Sequence, residues 1–90
     1  GDGLELMRAA LASWIHQHPG LTIEDKGLAI AIHFRSRPEE AEAVDAFAEA
    51  VLARAPDLRV QRGKMVIEVR AKGPGKGDAV AAMMALPAFA

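Results

Sequence analysis

Two stretches of the chain take up a period of two, and each is broken by a turn. Leu21 and Ile23 alternate with Thr22 and Glu24; then Leu28, Ile30, Ile32 and Phe34 alternate with Ala29, Ala31, His33 and Arg35. Successive side chains of a strand point to opposite faces, so this alternation specifies strands with one buried face. Lys26-Gly27 predicts a tight turn between them. A two-residue turn there sets Glu24 opposite Ala29 and Ile23 opposite Ile30, and both strands present their apolar sets on one side. The second stretch predicts a short strand at 58–61, a turn at Arg62-Gly63 and a strand at 64–70. In the last of these, Met65, Ile67 and Val69 alternate with Lys64, Val66, Glu68 and Arg70.

A helical period precedes each hairpin. Leu4, Met7, Leu11, Trp14 and Ile15 fall on one face of a helix ended by Pro19-Gly20, and Asp2 with Glu5 reads as its capping box. Ser36-Arg37-Pro38 opens a second helix, whose buried stripe is Ala41, Val44, Phe47, Val51 and Leu52. Pro56-Asp57 closes it, and residues 78–86 predict a third helix with Val80, Met83 and Leu86 inward. Two hairpins and two preceding helices predict an α+β fold: a two-layer sandwich, its four-stranded antiparallel sheet covered by helices on one face.

The totals exclude several classes. Ninety residues make one domain, and a chain of that size buries about two-thirds of its unfolded surface. A net charge of −1 argues against a general nucleic-acid binder. There is no cysteine, which removes disulfides and thiolate metal sites and fits a reducing cytosol. No apolar run approaches the roughly 20 residues of a membrane helix. Gly1-Asp2-Gly3 shows no basic-then-apolar leader, and the chain reads as a piece of something longer.

With helices over the Ile30/Ile32 side, the other side of the sheet carries Thr22, Glu24, Lys26, Ala29, Ala31, His33, Arg35, Lys64, Val66, Glu68 and Arg70. Each unpaired buried charge costs several kcal/mol, whereas an extra buried Val or Leu returns only about 1.5–3 kcal/mol. That face is therefore wet or meets a polar partner. The plain reading is a solvated sheet face. Ala29 and Ala31 argue for more: they are poor strand formers, and they make a low floor ringed by both charge signs and an imidazole. Such a ring suits a polyhydroxylated ligand, whose hydroxyls donate to carboxylates and accept from cations. No aromatic residue on that face could stack on bases. His16 and His18 are expected to face solvent, His33 taken alone reads as structural, and Trp14 reads as core. The loop from Lys72 to Asp78 departs from the P-loop spacing, so Lys76 by itself reads as part of a connector that could attract an anion.

The segments IEDKGLAIAIHFR (23–35) and GKMVIEVRAKGPGKGDAVAAMM (63–84), followed by LPAF (86–89), resemble trehalose-6-phosphate phosphatases of the haloacid dehalogenase superfamily. The resemblance implies a cap domain over 1–72, and a loop and helix over 73–90 that re-enter a Rossmann-like catalytic core absent from this chain. It implies hydrolysis of trehalose 6-phosphate through an aspartyl-phosphate, with Mg²⁺ held by core carboxylates and none by this chain. The DxDx[TV] nucleophile motif is absent here, so the chain alone is expected to be inactive. Lys76 matches the family's lysine that neutralises the phosphate. Glu24, Arg35, Lys64 and Glu68 match its sugar contacts, and Lys26 and His33 lie in the same motifs; Arg70 sits where the family varies. The implied partners are trehalose 6-phosphate and the catalytic core, with no nucleic acid and no membrane, in the cytoplasm. A cap for another sugar phosphate and a free-standing binding module are the competing readings.

Overall fold

The computed structural model describes residues 3–72. Helix α1 (Gly3–Trp14) runs into a 3-10 turn at Ile15–Gln17, followed by strands β1 (Thr22–Asp25) and β2 (Ala29–His33). A second 3-10 turn at Pro38–Glu40 leads into α2 (Ala41–Arg54), then β3 (Leu58–Gly63) and β4 (Val66–Ala71). The sheet order is β1-β2-β4-β3, antiparallel throughout. The expected α+β sandwich is present. The third helix and Lys76 lie outside the described residues, as does Asp2 of the capping box.

The alternation in β2 and β4 supplies the centre of the core. Ile30, Ile32 and Val69 are buried with Met7 of α1 and Val44 of α2. Each helix buries one stripe: Leu4, Met7 and Leu11 from α1, and Val44, Phe47, Ala48 and Val51 from α2. Trp14 is half-buried, stacked on Phe47 at 4.6 Å and on His18 at 4.0 Å. His18 is therefore not solvent-facing as expected; its Nδ1 also lies 2.9 Å from Glu40 Oε1.

Both turns differ from the sequence-based expectation. In the first hairpin Ile23 faces Ile32 and Glu24 faces Ala31. The Lys26 N–H bonds the Ala29 carbonyl, which makes Gly27-Leu28 the turn. Gly27 has φ +87°, the sign a type II′ turn needs at its first central position. Leu28 consequently leaves the strand and is 75% exposed instead of joining the apolar row. In the second hairpin Gly63 faces Val66, so the turn is Lys64-Met65, with Met65 at φ 61°. Both shifts are by an even number of residues, so every strand residue keeps its expected face.

The start of α1 is tied from a distance. The Gly3 N–H, one of the orphan donors of a helix N-terminus, bonds Asp57 Oδ2 at 3.1 Å. The Asp57 carbonyl accepts the Lys72 N–H at 3.0 Å.

Candidate functional site

Register turns the helix-free face into a grid. Read across β1, β2, β4 and β3, one row is Lys26, Ala29, Arg70, Arg59. The next is Glu24, Ala31, Glu68, Gln61, and the third is Thr22, His33, Val66, Gly63. The Phe34 N–H bonds the Met65 carbonyl, so the ladder points Arg35 and Lys64 toward a fourth position at the same end. Arg35 lies just past β2 and Lys64 in the β3–β4 turn, and both are exposed. A strand rises about 3.3 Å per residue. Lys64, four residues from Glu68 along the chain, thus stands on the order of 13 Å away. Glu24, Lys26, His33 and Glu68 come together on the face; Arg35 and Lys64 flank it at one end.

The middle of the grid is bound up in ion pairs. Lys26 Nζ donates to Glu68 Oε2 at 3.0 Å, and Arg70 Nη1 donates to Glu68 Oε1 at 3.2 Å. Each carboxylate oxygen thus has its own cation. The Lys26 hydrogen bond holds the Glu68 carboxyl below the usual carboxylate range, and the same bond raises the Lys26 ammonium. His33 Nε2 lies 3.1 Å from Glu24 Oε1. Ala29 and Ala31 are 4% and 2% exposed although they face away from the helices. They are buried because these long side chains fold across them. The expected floor is real, and in the free protein its own rim covers it.

The neighbouring charges on the helix side are separately satisfied. Arg8 on α1 bonds Asp25 and Glu5, and Arg62 on β3 reaches Asp45 and Glu49 of α2. The sequence reading missed Arg59 and Gln61, which extend the grid onto β3. The alternation of Leu58 and Val60 with Arg59 and Gln61 was the signal available. Among the described residues no three His, Cys, Asp or Glu side chains group to hold a metal ion. No helix there is long and apolar enough to cross a membrane.

What the arrangement offers a ligand is a row of carboxylates beside a row of cations, over a floor with no side chain beyond Cβ. A family model described as trehalose-phosphatase matches residues 3–86. A probable trehalose-phosphate phosphatase of Sinorhizobium fredii (strain NBRC 101917 / NGR234) is 47% identical over 83 residues, 91% of this chain and 30% of that protein. The trehalose-6-phosphate phosphatase of Escherichia coli (strain K12) is 39% identical over 70 residues, 78% of this chain and 26% of that protein. Among solved structures, the C. albicans trehalose-6-phosphate phosphatase C-terminal domain is similar, with a TM-score of 0.66 and 25% identity. That match covers 92% of this chain and 30% of the other. The chain thus spans between 26% and 30% of the length of these curated relatives.

Proposed function

Because the chain belongs to the trehalose-phosphatase family, we propose that it is the substrate-recognising cap of an enzyme of trehalose biosynthesis. That enzyme hydrolyses trehalose 6-phosphate to trehalose and phosphate, in the cytoplasm. The observation that carries the reading is the grid: Glu24 and Glu68 flank Ala31 in one row, with Lys26 beside them. A sugar ring laid on Ala29 and Ala31 would donate hydroxyls to Glu24 and Glu68 and accept from Lys26. Its hydroxyls would take over hydrogen bonds now made within the Lys26–Glu68–Arg70 cluster, so each charged group keeps a hydrogen-bond partner on binding. His33 holds Glu24 in place and Arg35 and Lys64 reach the far end of a disaccharide.

In this reading the cap contributes position. Sugar contacts far from the reacting phosphorus fix the ester, and closure excludes water. The nucleophilic aspartate and the acid–base aspartate belong to a catalytic core of the haloacid dehalogenase type. Lys76 would neutralise the phosphate there. Among the described residues no three acidic or imidazole groups converge; in this proposal magnesium is held by core carboxylates, and no step is assigned to it on the cap.

The test is a chimera in which this chain replaces the matched segment of the Sinorhizobium relative. Turnover of trehalose 6-phosphate is compared with that of other sugar phosphates and of an aryl phosphate. Glu68→Ala is expected to lower kcat/KM for trehalose 6-phosphate about ten- to a hundredfold, the weight of hydrogen bonds to a charged group, and to spare the aryl phosphate. Equal loss on both substrates, or loss on neither, sinks the sugar-reading role. A preference for another sugar phosphate would keep the cap and change the substrate.

A further inference from the structure

Glu68 is shared by two cations that are not equally well placed. Arg70 stands two residues along the same strand, β4, which is flanked by β2 and β3, and donates to Oε1. Lys26 lies just past the end of the edge strand β1 and donates to Oε2. The Glu68 side chain is 17% exposed, that of Arg70 38% and that of Lys26 48%. The lysine is thus the outermost member of the cluster. A planar guanidinium also loses less freedom per hydrogen bond than an ammonium on a four-carbon stem. Arg59 biases the arginine further. It is the direct cross-strand partner of Arg70, and like charges so placed, with Cβ atoms about 5 Å apart, repel. That repulsion disfavours Arg70 conformers that reach toward β3 and leaves those that lie back along β4 over Glu68. Gln61 faces Glu68 from β3 and Ala31 faces it from β2, so neither neighbouring strand sets a competing charge directly opposite the carboxylate.

We infer that Arg70 is a positioning residue of the sugar site: it keeps hold of Glu68 Oε1 while Lys26 yields Oε2 to a ligand hydroxyl above Ala31. The inference rests on the sugar-reading role proposed above. In it Arg70 touches the carboxylate and not the ligand. Lys26 is the cation that moves, because it has the freer stem and the more exposed place. A carboxylate anchored at one oxygen presents the other in a fixed direction, which lowers the cost of ordering it when the sugar arrives.

The experiment is a double-mutant cycle in the chimera, with trehalose 6-phosphate and an aryl phosphate as substrates. The hydrogen bond to Glu68 is made far from the reacting phosphorus, equally in the bound substrate and in the transition state. Arg70→Gln is therefore expected to raise KM for trehalose 6-phosphate about tenfold and to leave kcat within about twofold. Aryl phosphate turnover should not change. Arg70→Lys keeps the charge without the planar fork and should recover part of the loss. In the Glu68→Ala background, Arg70→Gln should add no more than about twofold, since no carboxylate remains to position. The melting temperature of the 90-residue chain should change by no more than about 4 °C in Arg70→Gln, as for an exposed ion pair. Additive losses in the cycle would show Arg70 acting without Glu68 and overturn the inference. A loss shared by the aryl phosphate, or one that follows a larger drop in melting temperature and is not recovered in Arg70→Lys, overturns it too. An unchanged KM in Arg70→Gln beside an impaired Glu68→Ala sinks the positioning role and keeps the sugar reading. A silent Glu68→Ala ends both.

Discussion

The carboxylate of Asp57 accepts the N–H of Gly3, 54 residues away in sequence, at 3.1 Å. Because the Asp57 carbonyl also accepts the Lys72 N–H, one residue ties the first turn of α1 to the end of β4. Asp57→Ala removes the only side-chain acceptor recorded for that helix start among the described residues. Loss of a helix-capping acceptor costs about 0.5–2 kcal/mol, which is roughly 2–16 °C of melting temperature in a domain this small. Asp57→Asn keeps an oxygen acceptor and should lose less. Thermal unfolding followed by circular dichroism measures both, and equal losses would remove the capping role.

Gly3 is a glycine because of that contact. A Cβ built on it would lie 2.6 Å from Asp57 Oδ1 and 2.7 Å from Leu58 Cγ. Leu58 is 3% exposed and has nowhere to retreat. Gly3→Ala is expected to destabilise by about 1–3 kcal/mol, the usual cost of overpacking. Combined with Asp57→Ala it should cost less than the sum, since one of the two clashes is then gone. Denaturant midpoints of the four proteins in the cycle decide it.

Asp25 gives an acid-limb prediction. Its hydrogen bond from Arg8, helped by the Gly27 N–H, lowers its carboxyl from 3.8 to about 2. A depressed folded-state value means the unfolded chain binds the proton first as pH falls. The contribution is fully present above pH 3.8 and is lost as pH falls toward 2. Asp25→Asn should be less stable than the parent at pH 6, and the gap should close between about pH 4 and pH 2. Urea midpoints across that range test this, and a constant gap would refute it.

Met65 holds a left-handed backbone at φ 61°, a conformation glycine adopts freely. Met65→Gly relieves about 1–2 kcal/mol of backbone cost and loses the packing of a half-buried side chain. The two effects are of similar size and opposite sign, so the net change should stay within about 1 kcal/mol. Met7→Ala, at a site 0% exposed, should cost about 2–5 kcal/mol. Similar losses for both would mean that Met65 carries no backbone strain.

Ala31 tests the floor. It is buried on the face away from the core, under Lys26, Glu68 and Arg70. Ala31→Leu should lift that rim and leave the helix-side core intact. In the chimera it should raise KM for trehalose 6-phosphate about tenfold or more, a size typical of a misfitted pocket residue, with aryl phosphate turnover unchanged. An unaltered KM would show that no ligand rests there.

The faces were legible in the sequence because they depend on parity alone. Ile30, Ile32, Ile67 and Val69 stay inside, and Glu24, His33 and Glu68 outside, under any even shift of a turn. The turns themselves were not. Lys26-Gly27 looked like the turn, but Gly27 serves as its first central residue, with the Asp25 carboxylate on its N–H. Lys64 moved to a hairpin tip because Met65 adopts a backbone its residue type does not advertise. The Lys26–Glu68 pair, 42 residues apart, depends on how one hairpin registers against the other, and no local pattern encodes that. Arg59 and Gln61 were legible too, since the alternation within 58–61 already sets them on the opposite face from Leu58 and Val60.

The order β1-β2-β4-β3 places the seam between the two helix–hairpin units down the middle of the sheet. A lone hairpin is marginal in water, and the pairing of β2 with β4 joins the two hairpins into one sheet. A molecule gripped by Glu24 from the first unit and by Glu68 from the second therefore bridges that seam as a rivet does, and fastening it braces the whole body at once.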